Sequence, residues 1–159
     1  MGKKKDEKLE KLLKRNAKKA KKHGYDRHLY LEVLGLEIER CGTNFCDDGD
    51  ERSKKWKKER KKYGFDSRET WCLDEIATEW LYERLVAYKK ATSKKIDLSF
   101  HKFEIDGKEV TQEEAIDEMT SLLRDAIIAS KDDGDDAGAI EKKRRAFRIW
   151  AEVFPSMWW

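Results

Sequence analysis

Four side chains in the first third of the chain have the types of a zinc site. His23, His28, Cys41 and Cys46 fall within 24 residues, spaced x4, x12 and x4. Zinc takes four such nitrogen and sulfur ligands in a tetrahedron, and an x4 cysteine pair is within the tolerated spacing. Gly42 would help the loop turn. Against this, the order is the reverse of the usual finger, and the histidines straddle Gly24, a helix-ending residue. The competing reading is two surface histidines and two reduced cysteines. A structural zinc at these four residues is the sole cofactor the sequence suggests.

Other chemistries find less support. Asp47-Asp48-Gly49-Asp50 and Asp132-Asp133-Gly134-Asp135 invite calcium, but the EF-hand register fails. Aligning Gly49 with the loop glycine puts Cys46 third and Lys55 where a bidentate Glu is required, and aligning Gly134 puts Ala129 first. Cys72 lies near a helix start, which lowers a thiol's pKa, yet its nearest histidine downstream is His101. There is no phosphate loop, nucleophile elbow or zincin motif. We therefore expect a binding protein, not an enzyme.

Charge points to partners. The chain has 36 Lys+Arg and 33 Asp+Glu in 159 residues, a net +3 that hides blocks. Residues 1–28 hold 12 basic against 4 acidic side chains, and residues 51–62 hold 8 against 2. Residues 104–136 reverse this, with 3 against 12. Such segregation suits phosphate, or an acidic block of a second copy. Lys54, Lys55, Lys57, Lys58, Arg60, Lys61 and Lys62 surround Trp56, a pattern in which the cations meet phosphates and the ring stacks on a base. A solvated helix face is the plain alternative.

The elements that position these residues follow from periodicity. The single proline and heavy Lys/Glu usage favour helices. Residues 4–22 predict a basic helical arm that folds on a partner. Leu31, Leu34 and Ile38 predict a helix over about 27–40, followed by a loop to Asp50. Residues 51–62 predict a basic helix ending at Gly64, with Trp56 and Tyr63 on one face. Asp66 and Glu69 have capping-box spacing ahead of a helix at 67–91. Its apolar stripe includes Leu73, Ile76, Ala77, Trp80, Leu81 and Leu85, with Glu75, Glu79 and Glu83 opposite.

Alternation over 96–110 around Asp106-Gly107 predicts a hairpin that pairs Ile105 with Lys108 and Phe103 with Val110. Thr111 and Glu114 cap a helix to about 130. A last helix covers 139–154, stopped by Pro155. The expected fold is mainly α, a small helical bundle at 64–159 with a short hairpin, behind a helix-loop-helix segment at 25–63 and a basic arm at 1–24. Trp71, Trp80 and Trp150 fall at core-like positions. Trp158 and Trp159 should dock on the chain's own core or on a second copy, making Phe154, Met157, Trp158 and Trp159 an expected oligomer interface.

Gly64-Phe65-Asp66, Thr70-Trp71-Cys72-Leu73-Asp74, Ile76-Ala77, Leu81 and Arg84-Leu85 resemble a family of small bacteriophage-encoded proteins. That family shows Gly-Phe, a Trp-x-Leu-Asp turn, Ile-Ala and Arg-Leu, and closes on a helix with Phe and a terminal Leu-Trp. Phe147, Trp150, Phe154 and Met157-Trp158 are similar to that ending. The likeness covers residues 64–159. It departs at Cys72, at the insert over 96–110 and throughout the first 63 residues. It implies a phage origin and transfers no catalytic residue. Within the motif, Asp74 and Arg84 read either as helix-end electrostatics or as polar anchors of a ligand pocket.

The resulting expectation is a non-catalytic phage accessory protein in the cytoplasm of an infected bacterium. It would antagonise host defence by binding a nucleotide second messenger or a defence protein. The alternative is a non-specific DNA- or RNA-binding protein that uses the basic stretches. No apolar run approaches the roughly 20 residues that span a bilayer, so no membrane partner is expected.

Overall fold

The computed structural model describes residues 30–41, 52–131 and 136–158. The basic arm at 1–24, the residues His23, His28, Cys46 and Trp159, and both Asp-rich loops lie outside the described residues. The described chain is mainly α-helical, with short antiparallel hairpins. It divides into two compact units, residues 1–77 and 78–159. No helix among the described residues is long and apolar enough to cross a membrane.

The first unit corrects one expectation. In place of a helix over 27–40 there is a hairpin of β1 (Tyr30–Val33) and β2 (Leu36–Glu39). Leu31 pairs with Ile38 and Val33 with Leu36. Leu31, Val33 and Ile38 are buried while Glu32 is exposed, the period of two that a strand requires. The turn is Leu34-Gly35, both at positive φ (55° and 75°). That is the geometry of a two-residue hairpin turn, in which glycine is at ease and leucine is not. Leu34 disguised the turn and supplied the apparent helical spacing.

Helix α1 (Arg52–Tyr63) follows, ending at Gly64 with φ 82°. A short 3-10 turn at Ser67–Thr70 precedes α2 (Leu73–Thr92). The Asp66/Glu69 capping box forms as expected, but it caps this turn and not α2. Trp71 is therefore off the long helix and is 83% exposed, not in a core.

The second unit holds most of α2, then β3 (Lys102–Ile105), β4 (Lys108–Thr111), α3 (Gln112–Ser130) and α4 (Asp136–Val153). The β3–β4 register is the expected one, with Ile105 opposite Lys108 and Phe103 opposite Val110 across Asp106-Gly107. The Thr111/Glu114 box caps α3 reciprocally: Glu114 N–H donates to Thr111 Oγ1 at 3.2 Å, and Thr111 N–H donates to Glu114 Oε2 at 2.8 Å. The next orphan amides of α3 find carbonyls of the preceding loop, Gln112 N–H to His101 at 2.9 Å and Glu113 N–H to Leu98 at 3.1 Å.

The core of this unit is the α3–α4 interface. Ala115, Ile116, Met119, Leu123, Ala126 and Ile127 of α3 meet Ala139, Ala146, Ile149 and Val153 of α4 as its buried residues. Small α4 residues facing large α3 ones allow close helix approach. On α2 the buried stripe is Thr78, Glu79, Leu81, Tyr82 and Leu85. It is rotated from the expected one, with Trp80 about half exposed and Glu79 buried. Glu79 enters because Lys131 Nζ lies 3.2 Å from Oε1. Trp80 stays outside because its ring meets Trp150 edge-on at 6.4 Å and carries the Arg84 guanidinium at 4.9 Å. An apolar count places Trp80 inside, whereas the structure buries the Lys131-paired Glu79 and leaves Trp80 about half exposed.

Leu123 is fully buried in this interface. Leu123→Ala should cost about 2–5 kcal/mol, the range for a buried Leu that leaves a cavity. The drop in thermal melting temperature, followed by circular dichroism, measures it.

Candidate functional site

Helix α1 carries one face inward and one outward. Trp56, Glu59 and Arg60 sit at i, i+3 and i+4, a single stripe. Trp56 is 7% exposed, with the Arg52 and Arg68 guanidiniums at 5.3 and 4.4 Å from its ring centroid. These are cation–π contacts within the chain, so Trp56 is not presented for base stacking. Arg60 is also engaged: its Nη2 donates to Asp66 Oδ2 at 2.7 Å and to Glu69 Oε1 at 2.6 Å. Glu59 accepts the Ser67 amide at 2.9 Å.

Asp66 organises this side. It is 1% exposed and accepts from the Arg68 amide, from Arg68 Nε at 2.8 Å and Nη2 at 2.7 Å, and from Arg60. Burial works against its charge, but the Arg68 and Arg60 hydrogen bonds and charges outweigh that, and its carboxyl sits below the ordinary aspartate range. Glu59 is likewise lowered, chiefly by the Ser67 amide.

With Trp56, Glu59 and Arg60 held, the remaining cations face solvent. Lys54, Lys55, Lys57, Lys58, Lys61 and Lys62 are all exposed. Of these, Lys55 pairs weakly with Glu59 at 3.6 Å. Lys54, Lys55, Lys58 and Lys62 line a shallow open groove together with Glu59 and Tyr63. Tyr63 is about half exposed, with Lys62 Nζ 4.7 Å from its ring and the Phe65 ring 6.0 Å away. The accessible aromatics beside the lysines are thus Tyr63 and Phe65, not Trp56. Tyr63 shares the stripe of Trp56, two turns on, but as the last residue of α1 it stays about half exposed, as does Phe65 beyond Gly64.

The other expected site residues fall elsewhere. Asp74 is exposed in the first turn of α2, where a negative charge suits the helix dipole. Arg84 is exposed, lies over Trp80 and donates to Glu83 at 3.4 Å. Phe154 is 51% exposed with its ring 5.2 Å from Trp150, Met157 is half-buried and Trp158 is 75% exposed. The described part of the chain leaves Trp158 off its own core. Cys41 is half-buried, and among the described residues no three His, Cys, Asp or Glu side chains cluster to hold a metal.

The lowered Asp66 carboxyl sets a pH dependence. A group lowered on folding adds stability above its unfolded value, about 3.9, and that stability is lost as pH falls through the folded value. Asp66→Asn should cost about 3–5 kcal/mol at pH 7, as expected for removing one side of a buried ion pair. The gap in urea midpoint from the wild type should shrink at pH 3. An equal gap at both pH values would contradict this role for Asp66.

No protein-family model matches this chain, and neither a curated protein nor a solved structure does.

Proposed function

We propose that the protein binds single-stranded nucleic acid through the outward face of α1. The carrying observation is the groove in which Lys54, Lys55, Lys58 and Lys62 share a surface with the exposed ring of Tyr63. Lysines supply the electrostatic, sequence-independent attraction to phosphate, and an aromatic at the end of the row supplies a stacking platform. A helix of 12 residues is about 18 Å long, and its four groove lysines can neutralise about four phosphates of one strand.

This geometry favours a strand over a single nucleotide. A mononucleotide signal is held by walls around its base, and the α1 groove is open to solvent. The ion pairs of Arg60 and the burial of Trp56 support the same reading, because they keep the lysine row on one side. The motif likeness of residues 64–159 supports placing this binding in a bacteriophage accessory protein of the host cytoplasm. A defence protein as partner rests on that likeness alone, and a nucleotide second messenger rests on it together with the basic stretches, which suit an anionic ligand.

Fluorescence anisotropy with a labelled 20-nucleotide single strand tests the proposal. Affinity should fall about 50-fold between 50 and 200 mM salt, for about four neutralised phosphates of a single strand. The Lys54→Glu/Lys55→Glu/Lys58→Glu/Lys62→Glu variant should lose measurable binding. Tyr63→Ala should weaken binding about 5- to 150-fold, the range for one stacked base. Binding that survives the four-lysine change would refute the proposal.

A further inference from the structure

The turn after α1 sets a second ring beside Tyr63. Gly64, at φ 82°, ends the helix in the left-handed region that glycine adopts freely. Tyr63 before it and Phe65 after it are both about half exposed. Their ring centroids are 6.0 Å apart and their planes are inclined by 34°. Apart from its chain neighbours, no heavy atom lies within 4 Å of where a Cβ on Gly64 would sit, so the space beside the turn is open. Lys62 Nζ, 4.7 Å from the Tyr63 centroid, puts a cation at the rings themselves. The buried Asp66, bonded to Arg60 and Arg68, fixes the chain directly after Phe65.

We infer that Tyr63 and Phe65 together form a platform for two successive bases, and that it makes the α1 site prefer weakly self-stacked strands, pyrimidine runs above all, over purine runs. The inference rests on the proposed binding of a single strand along α1 and names the strand that it takes. In a self-stacked strand successive bases lie parallel, about 3.4 Å apart. Two bases seated one on each ring are held further apart than that and take up the tilt of the rings. Nor does the 6.0 Å separation admit one base between the rings, since a base stacked on both sides needs about 6.8 Å at the same spacing. The strand therefore gives up one base–base stack to gain two base–ring stacks. A six-membered ring covers a pyrimidine whole but a purine only in part, so the gain on each ring is similar for the two. The stack given up is larger between purines, whose fused rings overlap more. The lysines attract either strand alike, because every nucleotide brings one phosphate. A preference of this origin comes from stacking strength and backbone flexibility, with no reading of base edges.

Fluorescence anisotropy with labelled oligothymidylate and oligoadenylate 20-mers tests this with the full chain. The wild type should bind the thymidylate strand more tightly. Phe65→Ala should weaken that binding about 5- to 150-fold, the range for one stacked base, and narrow the preference. Its salt dependence should stay as it was, because no phosphate contact is removed. A second pair of variants covers the case in which Phe65→Ala unfolds. Phe65→Tyr keeps the ring and should keep both affinity and preference, whereas Phe65→Leu keeps apolar bulk without a π-face and should lose both. Equal or reversed affinities of the wild type for the two strands would overturn the inference and leave the binding along the lysine row standing. So would a folded Phe65→Ala that binds thymidylate as the wild type does, or a Phe65→Leu that matches Phe65→Tyr. Absence of salt-dependent binding to either strand would overturn both.

Discussion

The carboxylate of Asp66 is the constraint on which the arrangement of the first unit depends. A buried negative charge needs partners on every accessible side. Asp66 draws the Arg68 and Arg60 guanidiniums together, and its cap holds the 3-10 turn that carries Arg68. Arg68 in turn lies over Trp56, and Glu69 takes the second hand of Arg60. Each of these contacts lands on one stripe of α1. The rotation of the helix about its own axis is thereby set, and six lysines are left facing water.

In the second unit the same chemistry appears as cross-links over an apolar core. Arg145 of α4 joins Glu118 of α3 at 2.6 Å and Asp106 of the hairpin turn at 2.7 Å. Lys131 meets the buried Glu79. Gln112, buried at the start of α3, donates to the Tyr88 hydroxyl at 3.3 Å and to the Ser156 carbonyl at 3.5 Å, tying three elements at one point. The acidic block at 104–136 is thus partly spent on the chain's own cations, Lys89 on Asp117 and Glu113 among them. Exposed pairs of this sort add little stability each, but they choose which faces remain open. Among the described residues, α4 leaves Ile140 exposed and Phe147 half-buried.

Strong local signals were legible. Asp106-Gly107 with alternating neighbours specified the second hairpin and its register, because a two-residue turn leaves one pairing. Thr111 and Glu114 located the start of α3, because a capping box satisfies amides nothing else reaches. Leu34-Gly35 failed as a signal, since the leucine occupies a backbone region that leucine seldom visits. Read as Leu-Glu-Val and Leu-Glu-Ile-Glu around Gly35, the same residues alternate as strands do. The site was half legible: composition marked α1 as basic, but which of its residues were accessible was not written in the helix.

What the sequence by itself determined was the presence of the four described helices, the Thr111/Glu114 cap of α3, the second hairpin and the basic character of residues 52–63. Those follow from interactions within a few residues, where propensity, turn chemistry and periodicity act directly. Only the tertiary structure decided that Trp56 and Arg60 turn inward while Tyr63 stays about half exposed, and that Glu79 is buried while Trp80 is about half exposed. Each of these outcomes depends on a charge finding its partner from another element, and periodicity counts apolar residues without knowing which carboxylate will be buried beside which guanidinium or ammonium.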